Sequence, residues 1–106
     1  MMYMPDCIKC TIDLIEADES KLKHRSFNIT AMSFAPDEIA AEIKKHIPEF
    51  EMSYEPDFRQ AIAETWPASL DDSVATEEWG WTPDYDLAAM TKDMLEKLSK
   101  KLGIKY

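Results

Sequence analysis

The chain has 106 residues, 45% of them hydrophobic and 31% charged, and Asp plus Glu outnumber Lys plus Arg by 21 to 12, for a formal charge of −9. That length holds one domain with one modest core, and the balance of residues is that of a globular chain rather than a disordered one. The dense basic patch Lys21-Leu22-Lys23-His24-Arg25 follows the acidic Glu16, Asp18 and Glu19 and reads as a solvated turn, so the clustered cations that neutralise a phosphate backbone are missing and nucleic acid is excluded as a partner. Apolar runs of only a few residues exclude a membrane-spanning helix. Met1-Met2-Tyr3-Met4 has neither the length nor the basic flank of a signal peptide, and a cytoplasmic setting is expected.

In chain order, Met1–Met4 is a candidate strand, and Asp6 caps a helix running to about Ala17 with Ile8, Ile12 and Ile15 on one face. Phe27 and Ile29 alternate in SFNIT, which predicts a strand with one buried face. Pro36 suits a first helical turn, Asp37 and Glu38 suit the positive end of the helix dipole, and Ile39, Ile43 and Ile47 form a stripe that Pro48 ends. Phe50, Met52 and Tyr54 alternate in FEMSY as a further strand. Trp66 precedes Pro67, which pushes it out of helical geometry and onto a loop. Asp71-Asp72-Ser73 then caps a short helix to Trp79, which Gly80 closes in a left-handed conformation. A last helix runs from about Asp86 to Leu102 with Leu87, Met90, Met94, Leu98 and Leu102 aligned. The expected fold class is α/β: a small sheet of two or three mainly parallel strands flanked by about four helices, in a single domain spanning residues 1–106. So small a sheet leaves apolar surface that wants a partner, and a homo-oligomer through that face is one expectation.

Candidate chemistry is sparse. The two glycines, Gly80 and Gly103, lie outside any glycine-rich turn of the kind that lets a backbone approach a dinucleotide pyrophosphate, so no cofactor is expected to be held by this chain. Cys7-Ile8-Lys9-Cys10 has thiol-redox spacing at a helix start, where the dipole lowers a thiol pKa. It lacks a preceding strand–helix unit, and a lone Cys-X-X-Cys outside that setting is a weak redox signal. No metal is expected, because His24 and His46 share no helix face with the cysteines and capping explains the Asp71-Asp72 pair.

Several short strings in a fixed order carry a resemblance: MMYMPDCIK at the start, NITAMSFAPDEIAAEIKKHIPEFEMSYEPDF from Asn28, then FRQAIAETWP, LDDS, EWGW and DLAAMTKDML. From about Met1 to Leu98 the chain resembles the C-terminal part of L-threonine 3-dehydrogenases of the extended, epimerase-like short-chain dehydrogenase type. The resemblance implies a parent activity that oxidises L-threonine to 2-amino-3-oxobutanoate with NAD. It also implies that this chain is the substrate-side lobe, with the cofactor-binding Rossmann domain absent. Enzymes of this type use a tyrosine followed four residues later by a lysine, whereas Cys7, Phe58 and Ala89 follow Tyr3, Tyr54 and Tyr85 at that distance. No catalytic residue is therefore assigned, and inactivity of the chain alone is expected. Trp66 matches a tryptophan of the threonine pocket, and Arg59 matches an arginine position whose guanidinium could attract a carboxylate. L-threonine is expected as a ligand only together with an upstream lobe.

Overall fold

The structure, a computed structural model, describes residues 1–105. It contains helices α1 (Met4–Glu16), α2 (Pro36–Lys44), α3 (Arg59–Ala63), α4 (Ser73–Trp79) and α5 (Leu87–Leu102), with a 3-10 turn at Glu19–Lys21. Among the described residues there is no strand and no sheet, which corrects the expected α/β class. Both alternating segments are extended or irregular, but neither finds a ladder. In SFNIT the backbone groups are met by side chains instead: the Thr30 amide donates to Asp72 Oδ2 at 3.3 Å, and its carbonyl accepts from Trp81 Nε1 at 2.9 Å. In the candidate first strand Met1 accepts from the Ala31 and Met32 amides at 3.3 and 3.1 Å through its carbonyl and donates its amino group to Met32 O at 2.7 Å. In FEMSY Phe50 is half-buried and every residue from 51 to 71 is exposed, so Met52 and Tyr54 bury no face with it. Period-two alternation marks a chain that can pair, but pairing needs a second edge within reach.

The chain divides into two compact units. The first comprises Met1–Ser33 and Ser69–Asp86. At its centre Trp81 is 1% exposed and Ala75 fully buried, with Trp79 tilted against Trp81 at 5.9 Å and Phe27 edge-on to Trp79 at 6.0 Å. The helix α4 delivers these aromatics because Gly80, at φ 73°, closes it in the left-handed region. The Gly80 amide bonds to Thr76 O and the Trp81 amide to Ala75 O, which turns the chain sharply enough to send Trp81 inward. A Cβ at Gly80 would meet nothing within 4 Å, so the dihedral angle rather than space requires glycine there. Helix α1 is held by its polar side. Asp6, 1% exposed, accepts the Asp84 and Tyr85 amides at 2.9 and 3.0 Å, and Lys9 Nζ reaches Thr82 O and Asp84 Oδ1, both at 2.9 Å.

The second unit comprises Phe34–Ala68 and the chain from Leu87 onward. Here α2 packs on α5, with Ala40 buried in α2 and Met90 and Thr91, each 4% exposed, in the first turns of α5. Pro36 opens α2, and Glu38 Oε2 reaches back to the Ala35 amide at 2.9 Å. The helix ends at Lys44, about a turn before Ile47, whose amide still bonds to Ile43 O at 2.8 Å. The apolar row of α5 is buried only at its start: Met94, Leu98 and Leu102 are progressively exposed. Helix α3 had no sequence expectation. Asp57 Oδ1 accepts the Arg59 amide at 2.9 Å and starts it, and it stops short of Trp66-Pro67.

Candidate functional site

The residues expected on the substrate side both lie on the exposed run of the second unit. Arg59 is the first residue of α3, and its guanidinium is already occupied by a carboxylate: Nε lies 3.1 and 3.0 Å from Asp57 Oδ1 and Oδ2, and Nη2 lies 2.5 Å from Oδ2. This two-point grip is the geometry by which arginine recognises carboxylates. It holds Asp57 below the usual carboxylate range and raises the pKa of Arg59 itself. Both side chains are well exposed to water, which screens the pair, so its contribution to stability is small. Trp66 follows α3 in a turn, with its amide on Ala63 O at 3.1 Å and its residue surface 70% exposed. It stands at the end of a row, Tyr54, Phe58, Ile62 and Trp66, spaced four apart and between 53% and 78% exposed. A shallow depression beside α3 is lined by Glu55, Pro56, Asp57, Arg59, Gln60 and Ala63, and Trp66 is not among its lining residues.

A second polar cluster, in the first unit, had no sequence signal beyond the presence of its residue types. The Glu78 side chain, only 8% exposed, receives the Lys23 amide, the His24 amide at 3.0 Å and His24 Nδ1 at 2.5 Å. The partners are 54 and 55 residues apart in sequence, so no local spacing could announce them. Burial pushes the Glu78 carboxyl up, but the His24 ring and the two amides outweigh it, and the pKa falls below the ordinary 4.5. Glu78 thus binds the Lys23–His24 segment to α4, a structural task. A carboxyl with a lowered folded-state pKa contributes stability above its unfolded value and loses it as pH falls through the folded one. The melting-temperature gap between the native chain and a Glu78→Gln variant should therefore be widest above about pH 4.5 and close steadily in more acid solution.

The two cysteines are free thiols. Cys7 is the fourth residue of α1, with its amide already bonded to Tyr3 O at 3.0 Å, so it stands inside the hydrogen-bonded helix rather than at the open dipole end. Cys10 donates its thiol to Cys7 O at 3.1 Å, and burial pushes its pKa up, which favours thiol over thiolate. The capping position of α4 is Asp72, which makes no side-chain cap bond and turns to Thr30, while Asp71, one residue earlier, accepts the Ser73 amide at 2.9 Å. Among the described residues no group of three or more His, Cys, Asp or Glu is placed to hold a metal ion, and no helix is long and apolar enough to cross a membrane.

No protein-family model matches the chain. Individual proteins do. It is 52% identical over 103 residues to an uncharacterised epimerase/dehydratase of Staphylococcus haemolyticus, a match that covers 95% of this chain and 32% of that protein. It is 48% identical over 96 residues to the mitochondrial L-threonine 3-dehydrogenase of Sus scrofa, covering 90% of this chain and 26% of that enzyme. Among solved structures, it superposes on L-threonine dehydrogenase from Clostridium difficile with a TM-score of 0.92 at 60% identity, over 99% of this chain and 33% of that one. The enzyme from Phytophthora infestans gives 0.91 at 56% identity, over 95% and 33%. The chain thus spans between about a quarter and a third of the length of the relatives it matches. In sequence and in backbone it matches the C-terminal part of the L-threonine 3-dehydrogenase and epimerase/dehydratase proteins.

Proposed function

We propose that this chain forms the substrate side of an NAD-dependent L-threonine 3-dehydrogenase, the enzyme that converts L-threonine to 2-amino-3-oxobutanoate, and that it is inactive without the remainder of such an enzyme. The observation that carries this reading is the match to the Clostridium difficile dehydrogenase: 99% of this chain at 60% identity, but only a third of that enzyme. A match so close and so partial points to shared function in an incomplete set of residues. NAD does not fit the residues present. Gly80 and Gly103, at φ 73° and 67°, both close helices, so neither lies in a turn that could cradle a pyrophosphate. The cofactor-binding and proton-transferring groups belong to the length this chain does not share.

In this proposal Trp66 forms an apolar wall of the threonine pocket and Arg59 attracts the substrate carboxylate. Asp57 already occupies Nε and Nη2 of Arg59, so in this second role the substrate carboxylate displaces Asp57 or uses the remaining Nη1. The 70% exposure of Trp66 supports the first, because a bulky indole held out in water has surface to give to a ligand. The test joins this chain in frame behind the part of the Clostridium difficile enzyme on which it does not superpose. In that protein Trp66→Ala should lower kcat/KM for L-threonine by about 30-fold, or about 2 kcal/mol of transition-state binding. Arg59→Ala should act mainly through KM. Unchanged kinetics in both variants would remove these two residues from the pocket.

A further inference from the structure

We propose that Cys7 and Cys10 of α1 form a chelating dithiol for a soft closed-shell cation of the Cu(I) type. The two residues stand three apart on the helix, so they are separated by about 60° around its surface and about 4.5 Å along its axis. Both are free thiols, Cys7 exposed and Cys10 half-buried. They lie on a flank of α1. On one side of that flank Asp6 and Lys9 fix the helix to the 82–85 loop, and on the other Ile8, Ile12 and Ile15 are 55%, 48% and 78% exposed. A helical side chain leans toward the helix start, and Cys10 does so: its Sγ donates to Cys7 O at 3.1 Å, over the turn that carries the other thiol. Cys7, exposed to solvent, has the rotamer freedom to set its sulfur beside the first.

Distances decide what such a pair holds. Neighbouring side chains on a helix surface have Cβ atoms about 5–6 Å apart, whereas a disulfide wants about 3.5–4.5 Å. Closing that bond would unwind the first turn of α1, which Asp6 ties to the Asp84 and Tyr85 amides. A metal–thiolate bond of about 2.3 Å on each side, in line, sets the sulfurs about 4.6 Å apart and fits the helix as it stands. A closed zinc site takes four ligands, and these residues supply two. Cu(I) favours soft sulfur and is held by two thiolates in line, so the pair completes its site. The surroundings favour this over thiol–disulfide chemistry. Burial raises the Cys10 pKa, and the neighbouring charges of Cys7, Asp13 and Asp6 add to it against a Thr11 hydrogen bond that lowers it. The attacking thiolate of disulfide exchange is therefore scarce. A soft cation displaces the protons itself: each thiol gives one to the buffer, two Cu–S bonds form, and copper stays Cu(I), with no electron transferred.

The reduced chain is titrated under argon against Cu(I) held in its coloured bicinchoninate complex. It should withdraw one Cu(I) per chain, gain near-ultraviolet thiolate-to-copper absorption, and protect both thiols from a small maleimide. Cys7→Ser and Cys10→Ser should each weaken binding by about a hundredfold or more, beyond what a lost outer-shell partner costs a metal site. Circular dichroism of each variant checks that the helices survive. If a variant loses that spectrum, the copper stoichiometry and maleimide protection of the unsubstituted chain decide. Failure to withdraw Cu(I), or a folded serine variant that binds as tightly as the native chain, would overturn the proposal. So would a native mass spectrum showing one copper shared by two chains. A chain that loses two hydrogens and holds no copper would also overturn it, by making the pair a disulfide.

Discussion

Trp81→Ala is expected to destabilise the unit made of Met1–Ser33 and Ser69–Asp86 by about 4 kcal/mol, the usual range for deleting a buried indole. Three losses combine at this position. The side chain is 1% exposed and is the largest fully buried one in the described structure, so its removal opens a cavity that the unit's few buried residues cannot fill. Its Nε1 donates to Thr30 O at 2.9 Å, and without it that carbonyl loses its partner in the extended segment that has no ladder to replace it. Its ring also carries Lys9, with Nζ 5.8 Å from the centroid, and the tilted face of Trp79. A Trp81→Phe variant separates the terms, because it keeps most of the apolar volume and loses the indole donor. It should sit between the native chain and the alanine variant in urea denaturation followed by circular dichroism. Equal stability of all three would show that the unit is not organised around this residue.

Asp6→Ala should cost about 3 kcal/mol by a different route. The carboxylate is 1% exposed and accepts two successive backbone amides, of Asp84 and Tyr85, so alanine leaves two donors without partners at one stroke. Asp6→Asn offers one oxygen and turns an NH2 group toward the other amide, so it should recover only part of the loss. Amide exchange at Asp84 and Tyr85 is the direct measurement. Both should be protected in the native chain and exchange much faster in Asp6→Ala, with Asp6→Asn unequal at the two sites. Protection that persists in Asp6→Ala would mean that the 82–85 loop is held by something else, Lys9 being the nearest candidate through its bonds to Thr82 and Asp84.

The helices were legible because their signals are local. Pro36, Gly80 and Asp71 act within a turn of themselves, and α2 and α4 begin or end close to where those residues place them. The five-residue α3 escaped because so short a segment shows no period, and Asp57 is its only mark. The sheet failed for a physical reason: alternation in SFNIT and FEMSY describes a preference, and the ladder that would satisfy it depends on residues outside either segment. Asp6 illustrates the same limit. Its residue type and place suggest a helix cap, but Tyr3 is the capping position and Asp6 sits inside α1, reaching a loop 78 and 79 residues away. The isoleucine face of α1 was visible by its spacing, whereas its outward direction was not, because periodicity fixes which residues share a side and leaves open which side meets the protein. For Trp66 and Arg59, the chain's own periodicity offered a loop and a charge, and their matching positions in the dehydrogenase pattern suggested a pocket.

Threonine-dependent formation of NADH, measured on the purified chain alone and on the same chain joined behind the remainder of the Clostridium difficile enzyme, tests the central claim most directly. Background rates from the chain alone and sustained turnover by the joined protein are expected. Turnover by the chain alone, abolished by Trp66→Ala, would contradict the claim outright, and a joined protein that folds and binds NAD without oxidising threonine would contradict its substrate assignment.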